Sequence, residues 1–151
     1  MKKLRLYLDS CCFNRPFDDL SQEKIRLEFE ALVIIIGKCE NGDWDILASD
    51  VLDDEIDRTT NPIKKQKIKL LYSSTTTKVE INDEIISRAK ELQSSYGIRS
   101  FDALHLASAE YGKADVLLST DRKFVSKALG SNSKVRVENP AIWLMEVLFY
   151  D

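Results

Sequence analysis

Histidine is almost missing from this chain. Of 151 residues one is a histidine, His105, so chemistry that needs a two-histidine acid–base pair is excluded. Cysteine is sparse as well, with three residues at positions 11, 12 and 39. The count is odd and the adjacent pair lacks the two-residue gap of zinc motifs, so the expectation is reduced thiols. An excess of positive charge is absent too: 22 Lys and Arg against 25 Asp and Glu give a net charge of −3. The chain therefore lacks the broad basic field of a non-specific polyanion binder, and any such contact must come from a local patch. Long apolar runs are missing. The longest, 31–36 and 142–150, fall far short of the ~20 residues that cross a bilayer, which excludes a spanning helix. The start, MKKLRLYLDS, is basic, but its apolar run is broken by Arg5 and no small-residue cleavage site precedes Asp9. A cytoplasmic location is expected. There are no repeats, linkers or low-complexity segments, and 44% hydrophobic content over this length fits one domain, 1–151, with a real core.

What is present is an alternation of strand and helix signals. A strand at 4–8 leads into a loop at 10–20 and a long helix at 21–40, in which Ile25, Phe29, Leu32 and Ile36 recur at helical spacing. Asn41 and Gly42 end that helix. A strand at 44–48 follows, then a helix to Arg58 capped by Ser49 or Asp50, and Pro62 opens another, basic on one side. A strand at 78–81, a helix from Asn82 to near Gly97, a Ser100-capped helix at 101–112 and a strand at 115–119 come next. A helix at 122–129, a strand at 135–137 and a final helix opened by Asn139 and Pro140 complete the chain. Such alternation predicts a parallel α/β sandwich with a central sheet of four to five strands.

Against that background four acids stand out: Asp9, Glu55, Asp102 and Asp121. Two apolar strands end at Asp9 and Asp121, at the carboxyl edge where open parallel sheets bind ligands. If those strands are neighbours, the two acids start about 5 Å apart. At an effective dielectric of about 20 they repel by roughly 3 kcal/mol, and such a cluster must bind cations or hold a proton. The segment SDVLDDEIDR holds five acids. Glu55 is selected because it follows Val51 and Leu52 by four and three residues, at the border of the buried face, while Asp53 and Asp57 point elsewhere. Each acid also has a plain reading. Asp9 can be a turn residue, Asp102 a first-turn partner of the helix dipole, and Asp121 an N-cap.

The order strand-D, helix-E, helix-start D, strand-end STDxxF is more specific than its members. The segments LYLDSCCFNRPFDD, ASDVLDDEI and GIRSFDALHLASAEYGKADVLLSTDRKF resemble the PIN-domain ribonucleases, which include the VapC-type toxins of toxin–antitoxin pairs. The resemblance implies a three-layer α/β/α sandwich with its parallel sheet ordered 3-2-1-4-5, which would make Asp9 and Asp121 an adjacent pair. It also implies one or two Mg²⁺ or Mn²⁺ ions held by Asp9, Glu55, Asp102 and Asp121, with Ser10 and Thr120 supporting. The implied reaction is endonucleolytic RNA hydrolysis leaving a 5′-phosphate and a 3′-hydroxyl. The long CCFNRPFDD loop departs from common toxins of the family and points to a distinct subgroup.

Residue chemistry runs in the same direction. Oxygen ligands without a His or Cys cluster select hard cations. Arg15, Arg99, Arg122 and Lys123 near the rim are expected to contact phosphates, as is the basic stretch of Arg58, Lys64, Lys65, Lys67 and Lys69, whose plain reading is a solvated helix face. His105 reads first as a packing or hydrogen-bonding residue. Cys11 and Cys12 alternate in direction and lack a base partner, so thiol nucleophilic catalysis is discounted. A haloacid-dehalogenase-like phosphatase would need a second Asp where Cys11 stands. The alternative function is a PIN-like module that binds RNA or protein without cutting. The wide apolar face of the 21–40 helix and the segment IWLMEVLF fit a homodimer interface or a groove for a small antitoxin, and equally fit the core.

Overall fold

The computed structural model describes residues 3–150. Its centre is a set of five short strands, of which the inner three are almost wholly buried and the two edge strands are polar and partly exposed. They are β1 (Arg5–Leu8), β2 (Asp45–Ser49), β3 (Thr77–Val79), β4 (Val116–Leu118) and β5 (Arg136–Glu138). All pairings are parallel, and the order is β3-β2-β1-β4-β5. The topology reverses direction at β1, so the crevice beyond its carboxyl end is where the fold places a ligand site.

Among the described residues eight α-helices flank the sheet: α1 (Ser10–Asn14), α2 (Glu23–Glu40), α3 (Asp50–Asp57), α4 (Pro62–Tyr72), α5 (Asp83–Tyr96), α6 (Ser100–Tyr111), α7 (Arg122–Leu129) and α8 (Pro140–Tyr150). The result is the parallel α/β sandwich the alternation predicts, in the α/β/α layering the resemblance implies. Several helix starts obey their caps. Ser49 accepts from Leu52 N, Asn61 from Ile63 and Lys64 N, and Asn82 from Ile85 N, each using an N–H that the helix leaves free. Gly97 closes α5 in the left-handed region at φ +68°, which favours glycine. On α2 the buried stripe is Glu28, Ala31, Leu32, Ile35, Ile36 and Cys39, and Trp143 of α8 meets Trp44 edge to face at 5.1 Å. Among the described residues no helix is long and apolar enough to cross a membrane.

Four local expectations are corrected. The segment 10–20 is not all loop: α1 starts directly after Asp9 and a 3₁₀ turn follows at Arg15–Phe17. Cys11 and Cys12 consequently do not alternate as on a strand but lie about 100° apart around a helix. The N-cap of α6 is Arg99, with no side-chain cap bond, and Ser100 is already helical. Finally, Leu8 pairs with Leu118, so the register carries Asp9 to the level of Ser119, and Asp121 lies two residues farther on. β4 stops at Leu118 because Ser119 and Thr120 lead out toward α7, which separates the expected adjacent pair.

A candidate acid-lined active site

At the carboxyl end of β1 and β4 lies an open cavity of about 530 Å³, lined by Asp9, Ser10, Cys11, Gln93, Arg99, Ser100, Phe101, Asp102, His105 and Asp121. Three of the four selected acids therefore face one space. The elements deliver them differently. Asp9 takes the N-cap position of α1, but its carboxylate makes no cap bond and is left to the site. Asp121 does cap α7: Oδ1 accepts from Lys123 N at 3.0 Å and Phe124 N at 3.3 Å, while Oδ2 accepts from Arg99 at 3.1 Å. Asp102 projects from the first turn of α6, with the Arg99 guanidinium 3.9 Å away.

Glu55 arrives from the other side. Its Oε2 accepts from Ser10 Oγ at 2.9 Å, and its Oε1 meets His105 Nε2. His105 is buried on α6, and its Nδ1 is 2.6 Å from Tyr7 OH, which is in turn 2.7 Å from Ser49 Oγ. A polar chain thus crosses the core from the α3 cap through β1 to the rim, every member satisfied, which is the condition for such a network to rigidify rather than destabilise. Glu55 also lines a neighbouring hollow with Asn14, Arg58, Thr59, Thr60, Asn61 and Lys64.

The electrostatics differ from acid to acid. Burial pushes the Asp9 carboxyl well up, and the charge of the Cys11 sulfur, which hydrogen bonds led by that from Cys12 bring down to about 6 and whose Sγ is 2.6 Å from Oδ1, adds to the rise. Asp102 is raised by burial first and then by the charge of Asp121. For Glu55 burial again acts upward, but the hydrogen bond and charge of His105, followed by Ser10, outweigh it and hold the carboxyl low. The acids do not close into one tight shell. Among the described residues, the group of ligand-type side chains with all donor atoms within 4.8 Å of one another is Asp9, Cys11 and Cys12. Even so, the donor set fits a hard divalent cation. The cavity acids offer oxygens, both His105 nitrogens are engaged in the core, and the cation that does reach Asp102 and Asp121 is the exposed Arg99 guanidinium.

The other expected residues sort clearly. Thr120 is buried and gives its N–H to Cys11 Sγ at 3.3 Å. Arg122 and Lys123 are exposed at the start of α7. Arg15, expected to contact phosphates, is instead bound to Glu28 and Asp18, and with Asn139 Nδ2 on Glu28 it ties the 3₁₀ turn to α2. In the basic stretch Lys65 and Lys69 pair with Asp57, Arg58 pairs with Asp54 and lies over the Phe101 ring, and Lys64 lies over Phe17. The sequence pattern does not single out Tyr7 and Ser119, and it marks Ser49 only as a candidate helix cap. Polar residues inside or just past apolar strands are the signal that could have found them.

A parallel five-stranded sheet with acids gathered at the end of its central strands defines an acid-site α/β protein. The chain belongs to the PIN domain family, whose model matches residues 43–129, a span that holds Glu55, Asp102 and Asp121 and begins after Asp9. It is also similar in structure to VapBC2 from Rickettsia felis, solved bound to a DNA fragment from their promoter, with a TM-score of 0.59 and 13% identity over 90% of this chain and 98% of that one. At that identity the likeness is one of fold. No curated protein matches the chain.

Proposed function

We propose that this chain, as a single PIN unit over 1–151, is a metal-dependent endoribonuclease of the toxin type. The observation that carries the reading is the convergence of Asp9, Asp102 and Asp121 on one open cavity, with Glu55 joined to it through Ser10 and His105. Those acids would hold Mg²⁺ or Mn²⁺, which when bound makes a coordinated water more acidic and neutralises charge on a phosphodiester. The chain's own groups do the rest. Glu55 stays ionised in a fixed orientation because Ser10 and His105 hold both its oxygens. Arg99, released from Asp102 and Asp121, is free to turn to a phosphate, and Arg122 and Lys123 on one side with Arg58 and Lys64 on the other give an RNA strand cationic contacts.

Partner binding belongs to the same reading. The structurally similar VapBC2 was solved bound to a DNA fragment from their promoter. Here α8 exposes Ile142, Met145 and Phe149 at helical spacing, and α2 exposes Leu27, Val33 and Ile34. We assign these faces to a small antitoxin protein or a second copy of the chain in the cytoplasm. The test of activity is RNA cleavage by the purified protein with Mn²⁺ or Mg²⁺. Asp9→Asn should abolish it with the fold intact by circular dichroism, and EDTA should stop the wild type. Cleavage surviving both would overturn the metal-site reading, and RNA bound tightly but never cut would favour a non-catalytic module.

A further inference from the structure

The tightest ligand cluster in the described chain is not made of the four acids. Asp9, Cys11 and Cys12 place a carboxylate oxygen and two sulfurs all within 4.8 Å of one another. Sequence spacing hides this, because adjacent cysteines fit no zinc motif. The structure reveals it because α1 begins at Ser10 and turns both sulfurs back over the carboxylate that precedes it. The end of β4 closes the other side: Cys12 Sγ is 3.3 Å from Leu118 O, and Cys11 Sγ is 3.6 Å from Ser119 Oγ. Cys12 is buried, whereas Cys11 lies on the cavity wall, which supplies an entry path.

We infer that Asp9, Cys11 and Cys12 form a site for a thiophilic divalent cation of the Zn²⁺ class. Zn–S bonds of about 2.3 Å and Zn–O bonds of about 2.0 Å require tetrahedral ligand separations of roughly 3.5–3.8 Å, within about 1 Å of the range the three donors already occupy. Three protein ligands leave the fourth position toward the cavity, the open arrangement zinc adopts when it is not purely structural. Thiolates select Zn²⁺ strongly over Mg²⁺ or Mn²⁺, which favour oxygen. Asp9 is common to this site and to the hard-metal site of the proposed ribonuclease. The two occupancies exclude each other, and Zn²⁺ is an inhibitor. Binding stands on the cluster alone; the inhibition rests on the ribonuclease reading.

Two measurements separate them. Titration of the reduced full chain with Cd²⁺, read by ultraviolet thiolate-to-metal charge transfer, should saturate at one equivalent. The signal should persist in Cys39→Ser, whose thiol lies on α2 outside the cluster. Loss of a group that merely supports a ligand already costs about 10–100-fold in affinity, so Cys11→Ser and Cys12→Ala should each weaken Cd²⁺ binding by more than about tenfold. Charge transfer absent from the wild type, or undiminished in a folded Cys11→Ser protein, overturns the site, whether or not RNA is cut. With Mn²⁺-dependent cleavage as the second readout, each protein scaled to its own Zn²⁺-free rate, Zn²⁺ should inhibit the wild type at lower concentration than Cys11→Ser. Equal inhibition of the two overturns the shared use of Asp9.

Discussion

At the scale of single residues, what matters is how each carboxylate is partnered. Asp121 uses one oxygen for a helix cap and the other for Arg99, Glu55 is clamped by Ser10 and His105, and Asp9 has a thiol for a neighbour. Asp102 is the one whose cost is easiest to measure. Burial and the charge of Asp121 raise it in the folded state, so the folded chain holds this proton more tightly than the unfolded chain does. Ionising it therefore penalises folding. The penalty is complete above the raised value and absent below the ordinary 3.8, where both states are protonated. Asp102→Asn should raise the metal-free melting temperature at pH 7, by about 2–4 °C for each kcal/mol relieved, and the gain should vanish below pH ~4. Calorimetry across that range checks it, and an unchanged or lower value at pH 7 would mean that burial and Asp121 together do not penalise the ionised Asp102. The four acids could be picked from the sequence because they end apolar runs or open helices. Their partners could not, since Ser10 meets Glu55 across 45 positions and Tyr7 meets His105 across 98.

At the scale of elements, the site depends on how closely helices approach strand ends. Near the last turn of α6 the approach is tight: a Cβ on Gly112 would come within 2.8 Å of both Leu47 Cδ1 on β2 and Val79 Cγ2 on β3. The backbone there, at φ −76°, suits any residue, so the constraint is packing and not conformation. Gly112→Ala should lift the end of α6 from the sheet and cost about 1–3 kcal/mol, seen as a lower urea midpoint with an unchanged slope. A midpoint equal to wild type would show that Leu47 and Val79 move aside freely. Element types were readable because the apolar periods are clean, Pro62 marks a helix start, and Asn82 and Asp121 stand where caps belong. The helix α1 was not. Five residues with two cysteines carry no period, and it forms because Asp9 ends a buried strand and Phe13 and Cys12 find the core.

At the scale of the whole molecule, a net charge of −3 has to be reconciled with the proposed polyanionic substrate. The proposed reading places the needed cations locally, on the exposed start of α7 and beside Glu55, so the field is a patch and not a sign of the chain as a whole. Removing Arg122 and Lys123 together should raise KM for RNA with little change in kcat. It should also reduce the dependence of log affinity on log salt by about 1 for each phosphate no longer neutralised. Fluorescence anisotropy of a labelled RNA over a salt series measures this. An unchanged slope would move the RNA path away from α7.

The sequence by itself determined the strands, every α-helix but α1, most caps and the choice of candidate acids, because hydrophobic period and capping chemistry are local and act within a few residues. It could not determine that Asp9 levels with Ser119 instead of Asp121, that Arg15 is bound to a buried glutamate, or that two neighbouring thiols close on a carboxylate. Those outcomes follow from strand register and from side chains brought together across distant stretches of chain. Such neighbours exist only once the sheet has assembled.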